Sequence, residues 1–499
     1  MSEENSRLNY RNLNFGAPAA ERDIQQGLYD YFYENESYKN LQSGRKSVLL
    51  GNRGTGKSAI FKMLAEEYKK KDYIVIELAP EDYSYEILND VLKGEIEGNW
   101  AKQGSFSASW KYLLYIISMK KQIKYNSQHI NKRKSNLFKY LRDNHQNVEK
   151  NTLDLMTSYL KRLEGIKLGS YEAGIKTKEL QKLYKLEEIE GLLQELKLLC
   201  ETKPIVILID ELDTGWDASE NAQAFVSGLF QAVQSINSLT TNLKVYISLR
   251  KELYENIPSL YEDSQKVIDL FEKLEWTEDS LLEMITRRIR YFYPNIEKLN
   301  KNEVWNLVFS ETLDYRQNKS FNYIVDRTLY RPREIIQFCT SIKDTSIMKD
   351  FYPPINYQTI SLAEYSYSEN RTKDIAAEFR FQYPGLLSIF ETFRGVSYNF
   401  DREDLELHCI EICIGEKKIG ENANWVTNLE SDNLINALWS VGFLRAYAIG
   451  GQRGNRRRGS SYLGPHQVSN LNLKTIKKFH IHPMFRAYLG LKEQKQINQ

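Results

Sequence analysis

Gly51, Gly54, Gly56, Lys57 and Ser58 complete the pattern G-x-x-x-x-G-K-S, a set of residue types suited to binding phosphate and a divalent cation together. Glycines let successive backbone N–H groups turn toward phosphate oxygens, and a helix starting at the end of the loop offers its positive terminus to the same anion. Lys57 is expected to reach the outer phosphates and the Ser58 hydroxyl to ligate Mg2+; Asn52, Arg53, Thr55 and Ala59 complete the expected contact set. A second chemical pair, Asp210-Glu211, closes the apolar run Ile205-Val206-Ile207-Leu208-Ile209. There Asp210 is expected to hold Mg2+, and Glu211 to orient and deprotonate an attacking water. A further apolar run ends in Ser248-Leu249-Arg250, which places Ser248 or Arg250 to sense a terminal phosphate or position the water; the sequence does not choose between them.

These groups need a sheet to carry them. Val48-Leu49-Leu50 reads as a buried strand, and Ile60, Phe61, Leu64, Ala65 and Tyr68 mark one face of the helix after the loop. Residues 73–78, 205–209, 243–249 and 270–276 read as further strands; five consecutive branched apolar residues at 205–209 fit a central parallel strand, whose carboxyl end is where such sheets deliver functional side chains. Residues 19–41 carry a helical pattern. Between about 94 and 204 the chain makes a detour with helical periodicity at 110–117, 137–141, 153–163 and 180–199, and a Gly-containing candidate hairpin at 165–175. The basic run 120–150, densest at Lys132-Arg133-Lys134, fits either a solvated helix face or a nucleic-acid or partner contact.

Residues 280–291 form an amphipathic helix bearing Arg287, Arg288 and Arg290, and 294–343 turn helical. Within that stretch Pro332 is a helix-starting residue flanked by Arg331 and Arg333, which suit either reporting on a bound triphosphate or a plain surface pair. Residues 344–372, rich in Tyr, Ser and Pro, read as a linker. Beyond them, helices at 379–392, 405–414 and 434–439 precede strands at 442–447 and 478–482, the outline of a winged helix. Its hairpin tip carries Arg453, Arg456, Arg457 and Arg458 among glycines, which suits nucleic-acid phosphates or a solvated loop. His408, Cys409 and Cys413 share one helical segment but lack a second ligand pair, so buried helix residues are expected there.

At 499 residues the chain is too long for one ordinary core, and 41% hydrophobic with 27% charged residues describes a soluble globular protein. A formal net charge of +2 means that nucleic-acid contact must come from a local patch. No apolar run approaches a membrane span, and the polar N-terminus is unlike a signal peptide. Four cysteines are too sparse for a disulfide framework and fit a reducing, cytoplasmic setting.

Gly51–Ser58, Asp210-Glu211-Leu212-Asp213, Ser248-Leu249-Arg250 and Arg331-Pro332-Arg333 together resemble the AAA+/STAND side of the P-loop ATPases, which includes origin-recognition ATPases. Phe15-Gly16, Ala20-Glu21, Trp110-Lys111-Tyr112, the Arg-Pro-Arg-Glu and His482-Pro483-Met484-Phe485 resemble a bacterial family of stand-alone ATPases met in phage-defence neighbourhoods. The resemblance implies an α/β fold: an ASCE-type P-loop NTPase parallel sheet with a helical insertion and a helical lid, plus a C-terminal winged-helix-like domain. The expected boundaries are an N-terminal helical arm at 1–43, an ATPase core at 44–292 with its insertion at about 94–204, a lid and linker at 293–372, and the winged-helix-like domain at 373–499. It implies ATP as ligand, with Arg331 and Arg333 as sensor-two candidates; Arg287 and Arg288 are the candidates for an arginine finger. The expected function is Mg2+-dependent ATP hydrolysis coupled to homo-oligomerisation or to engagement of DNA, RNA or an effector protein in antiviral defence. The alternatives are a non-hydrolysing nucleotide-gated scaffold and a DNA-binding regulator.

Overall fold

Short apolar runs without polar alternation set the central sheet, because strands covered on both faces have no side to leave wet. A computed structural model of the chain describes residues 10–78, 99–126, 135–144, 186–212, 216, 219–255, 257, 260, 268–293, 295–448, 452–453, 456–457, 461–468 and 471–493. The chain divides into two compact units, one of Glu34–Arg53 and Lys57–Glu275, the other of Met1–Tyr33, Gly54–Gly56 and Trp276–Gln499. The expected segments 153–163 and 165–175 and the Lys132-Arg133-Lys134 run lie outside the described residues.

In the first of these units, β1 (Val48–Leu50), β2 (Ile74–Leu78), β3 (Ile205–Ile209), β4 (Leu243–Leu249) and β5 (Phe271–Lys273) form a parallel sheet in the order β2-β3-β4-β1-β5. Burial follows position: every residue of β3 and β1 is buried, while β2, at one edge, leaves Glu77 exposed, and β5, at the other, leaves Lys273 exposed. The helix after the loop, α1 (Lys57–Lys70), buries Ile60, Phe61, Leu64, Ala65 and Tyr68, the face its spacing predicts. The detour supplies α2 (Asn99–Tyr125) and α3 (Leu186–Thr202), and the chain between β3 and β4 supplies α4 (Glu220–Asn237). Trp110 is fully buried against Phe225, its indole N–H donating to the Phe225 carbonyl at 3.2 Å. Gly228 makes that helix pair possible, since a Cβ there would stand 2.6 Å from Phe106 Cβ and 2.7 Å from the Ser107 nitrogen. The insertion therefore shares the core of the sheet.

In the second unit, Tyr10, Leu13 and Phe15 of the N-terminal arm join one core with α5 (Glu278–Phe292), α6 (Pro332–Met348) and α7 (Tyr357–Glu378). The helical pattern at 19–41 resolves into short helices: Ala20–Ile24 and Leu28–Tyr31 in this unit, interrupted at Gly27, where φ is +111°, and Glu36–Gln42 in the first unit. The linker expected at 344–372 is instead the end of α6 and most of α7. The face of α7 that is buried includes Thr359, Glu364, Ser368, Arg371 and Thr372 among its apolar residues, so hydrophobic spacing understates it.

A separate core contains Phe390, Phe393, Phe443 and Phe485, with Phe390 and Phe443 stacked at 4.5 Å. Around it run the helix Leu386–Glu391, β6 (Asn399–Asp401), α8 (Arg402–Cys413), α9 (Ser431–Ser440), β7 (Leu444–Ala448), the two-stranded β8 (Gln452–Arg453) and β9 (Arg456–Arg457), β10 (Ser461–Leu463), β11 (Lys478–Ile481) and the helix Pro483–Leu489. The antiparallel order is β10-β7-β11-β6. Strand, two helices and returning antiparallel strands follow one another here, and β6 is a strand that the sequence reading did not anticipate. The four cysteines are free and buried, and among the described residues no helix is long and apolar enough to cross a membrane.

Candidate nucleotide site

The loop between β1 and α1 is shaped by two glycines with left-handed backbone, Gly54 at φ +78° and Gly56 at φ +96°. A Cβ on Gly54 would also approach Arg333 Cβ to 3.2 Å, whereas one on Gly56 would meet nothing within 4 Å, so at Gly56 the backbone conformation alone selects glycine. Gly51 extends the sheet, its N–H donating to the Leu249 carbonyl at 3.2 Å. Lys57 folds back over the loop, Nζ donating to the carbonyls of Gly51 at 2.9 Å and Asn52 at 3.1 Å. Asn52, Gly54, Gly56, Ser58 and Ala59 are half-buried, Arg53 is exposed and Thr55 is buried. Ser58 and Ala59 lie in the first turn of α1, where free N–H groups and the helix dipole meet.

Sheet register places the other residues. Ile209 is aligned with Ile247 and Leu50 with Leu249, so continuing each pairing by one residue sets Asp210 beside Ser248 and Gly51 beside Arg250. Neighbouring strands lie about 4.8 Å apart, so β1 and β3, with β4 between them, are separated by roughly 10 Å. The loop, Asp210, Ser248 and Arg250 thus share the carboxyl edge of one parallel sheet. Asp210 is half-buried and accepts the Glu211 N–H on Oδ1 at 2.9 Å; Glu211 is exposed, with φ +57°. A non-glycine residue there occupies the uncommon left-handed region, as Tyr330 and Asn428 also do. Ser248 is 2% exposed, and its Oγ has no hydrogen-bond partner among the described residues. A buried hydroxyl costs stability until it is paired, so this oxygen is suited to a ligand or an ordered water. The donor set fits Mg2+, which takes hard oxygen ligands: the Ser58 hydroxyl and the Asp210 carboxylate would hold it, and the ion would neutralise phosphate charge.

The two arginines flanking Pro332 go separate ways. Pro332 opens α6 with Arg331 as its cap residue. The Arg331 side chain is 6% exposed, donates from Nη1 to Glu378 at 2.8 Å and lies 3.8 Å from Glu334. Burial raises the pKa of Glu334 above the usual carboxylate range, against the pull of Arg331. Arg333 is half-buried and faces the loop tip: its backbone N–H donates to the Gly54 carbonyl at 3.3 Å and its Nε to the Pro18 carbonyl at 3.1 Å. The arginine-finger candidates are both engaged within the chain. Arg288 is 6% exposed, paired with Asp23 and bonded to the Phe15 carbonyl, and therefore unavailable to a neighbouring subunit. Arg287 donates to Glu283 and to the Phe32 carbonyl. Of the tip arginines, Arg453, Arg456 and Arg457 have a described backbone, paired as an antiparallel two-residue ladder, and Arg458 lies outside the described residues.

One residue that no motif flagged also touches the loop. The Trp276 indole N–H donates to the Thr55 carbonyl at 2.8 Å. A tryptophan just before a helix cap is the only sequence signal, and it does not name its partner.

Residues 279–376 match the family model described as FunZ-associated C-terminal helical domain. The chain is 24% identical over 491 residues, 96% of its length and 66% of the relative's, to the transposon gamma-delta 80.3 kDa protein of Escherichia coli (strain K12); it thus spans just under two thirds of that relative. Among solved structures, it is similar to the Aeropyrum pernix ORC1 protein in complex with DNA, at TM-score 0.33 and 11% identity over 87% of this chain and 89% of that one. It is also similar to the Aeropyrum pernix ORC2 protein in ADPNP–ADP complexes, at TM-score 0.35 and 10% identity over 94% and 92%. With scores this low, the P-loop fold rests on the chain's own strand order and loop.

Proposed function

We propose that this chain binds ATP with Mg2+ and hydrolyses it, and that its nucleotide state controls oligomerisation or the engagement of nucleic acid or a protein partner. The observation that carries this reading is the delivery of Gly51–Ser58 and Asp210-Glu211 to one edge of the same parallel sheet. Lys57 would exchange the carbonyls of Gly51 and Asn52 for phosphate oxygens, while N–H groups of the loop and of the first turn of α1 hold the anion. Glu211 would take a proton from the water as its oxygen attacks the terminal phosphorus and the bond to the bridging oxygen breaks. Ser248 or Arg250 would orient that water.

For the partner, the winged-helix-like outline supports nucleic acid, and antiviral defence is the setting that the family resemblance suggests. The helix before its hairpin, α9, exposes Asn433, Asn436 and Ser440 and contains no Lys or Arg. Phosphate contact would then fall to Arg453, Arg456, Arg457 and Arg458. The test is ATP turnover by wild type, Lys57→Ala and Glu211→Gln, with and without double- and single-stranded DNA, while particle mass is recorded. Loss of turnover in both variants is expected; turnover that survives both refutes the assignment. Tight MgATP binding without turnover in wild type would instead favour a nucleotide-gated scaffold.

A further inference from the structure

We propose that Trp276 is a positioning residue of the phosphate-binding loop, its indole N–H holding the Thr55 carbonyl on the loop's outer side so that the Gly56 N–H faces the phosphates. The inference rests on the nucleotide-binding reading above. A trans peptide is planar, with its C=O and the following N–H pointing in opposite directions. Fixing the Thr55 oxygen at 2.8 Å from Trp276 Nε1 therefore fixes the direction of the Gly56 N–H. The preceding peptide is held in the same manner: the Arg333 N–H donates to the Gly54 oxygen at 3.3 Å, which aims the Thr55 N–H away from Arg333. The peptides that carry two successive N–H groups are thus each held from the carbonyl side, between two glycines of left-handed φ; convergence of such groups on one anion is what the proposal requires.

Trp276 is itself firmly held. It packs against the core that contains Tyr10 and Phe309, with its ring 6.1 Å from that of Tyr33. The next residue, Thr277, is locked in a capping box with Ser280, whose Oγ accepts the Thr277 N–H at 2.9 Å while Thr277 Oγ1 accepts the Ser280 N–H at 3.2 Å. The donor that restrains the loop is therefore mounted on a rigid helix start.

The test compares MgATP and MgADP affinity of wild type with Trp276→Phe, which keeps an aromatic ring and removes the donor, alongside nucleotide-free thermal unfolding. Losing one hydrogen bond of ordinary strength predicts affinity for both nucleotides weakened roughly three- to tenfold. Tyr33→Leu, which removes the neighbouring ring and leaves the donor, should retain wild-type affinity. Should Trp276→Phe fail to fold, benzothienylalanine at 276 replaces only the N–H by sulfur in the same ring shape and is read in the same way. Wild-type affinity in the donor-free variant overturns the positioning role. Absence of MgATP binding in wild type itself overturns the underlying nucleotide reading instead.

Discussion

Replacing Asp23 by Ala tests whether the N-terminal arm is an integral part of the helical unit. The Asp23 carboxylate accepts from the Ala17 N–H at 2.7 Å, the Tyr31 hydroxyl at 2.8 Å, and Arg288 at 2.8 and 3.1 Å. Both side chains of the pair are nearly inaccessible, 7% for Arg288 and 4% for Asp23. Without Asp23 the guanidinium keeps the Phe15 carbonyl as an acceptor and the face of Tyr31 at 4.5 Å, neither of which neutralises its charge. Breaking such a pair from one side costs about 3–5 kcal/mol, because a buried charge is left uncompensated. In denaturant unfolding followed by the tryptophans, Asp23→Ala should lower stability by that amount, and the arm should become the first site of tryptic cleavage. Replacing both partners, Asp23→Leu with Arg288→Met, should recover only the part due to the uncompensated charge, because the Ala17 N–H and the Tyr31 hydroxyl still lack their acceptor. A single variant costing less than about 1 kcal/mol, as an exposed pair would, refutes the reasoning.

Three further outcomes follow from single side chains. Gly16→Ala should destabilise the same region and lower the unfolding midpoint, since φ is +92° and a Cβ would lie 1.8 Å from Arg288 Nη1 and 2.3 Å from Asp23 Oδ1. Arg331→Ala should cost about 3–5 kcal/mol in unfolding by leaving Glu378 and Glu334 buried without their cation, whereas Arg333→Ala keeps its backbone bond to Gly54 and should change nucleotide affinity more than stability. Burial, and then Lys417, lower the His408 pKa to about 4. The folded chain therefore keeps His408 neutral while the unfolded chain takes up a proton below its ordinary value of about 6.5. Its contribution is intact above about pH 6.5 and declines as pH falls toward 4, by at most about 1.4 kcal/mol per pH unit. The difference in unfolding free energy between wild type and His408→Gln, measured from pH 7 to 4, should shrink along that slope.

The placement of the loop and of Asp210-Glu211 at strand ends was legible in the sequence because each is local: the motif residues are adjacent, and the strands carrying them are contiguous apolar runs. What was not legible depends on contacts between distant positions. Trp276 and Thr55 are 221 positions apart, and nothing in either neighbourhood names the other. Arg331 and Arg333 are equivalent as letters, yet the extended cap position turns the first toward Glu378, 47 positions on, while the first turn of α6 leaves the second against Gly54. The helix α7 was hidden for another reason: it buries Glu364, Ser368 and Arg371, whose partners satisfy them in ways that composition does not show. Glu364 accepts from Tyr323 and Arg327, Ser368 donates to the Met484 carbonyl, and Arg371 pairs with Asp374. Polar residues that look like a linker become a core face once those bonds exist.

The turn from Asp326 to Arg333 gives these contacts a common mount. It is internally fixed: Thr328 Oγ1 donates to the Val325 carbonyl at 2.7 Å and accepts the Tyr330 N–H at 3.2 Å, the Leu329 N–H donates to Glu334, and Tyr330 is held at φ +57° with its hydroxyl donating to Glu278 at 2.8 Å. One end meets the loop tip through the Arg333 N–H and the Gly54 carbonyl. The rest is gripped by the C-terminal sheet: Arg445 donates to the Asp326 carboxylate at 2.6 Å and its carbonyl at 2.9 Å, His466 stacks on Tyr330 at 4.9 Å, and a Cβ on Gly442 would strike Leu329 at 2.8 Å. Contacts joined through one such turn are expected to respond together to its displacement. If the chain binds nucleotide as proposed, Arg445→Ala or His466→Ala should alter nucleotide affinity through this turn, since their contacts are with Asp326 and Tyr330; unchanged affinity in both variants refutes that linkage. Conversely, the hairpin arginines lie on a separate two-stranded ladder, so their variants should change nucleic-acid binding without changing nucleotide affinity if those side chains make the phosphate contact.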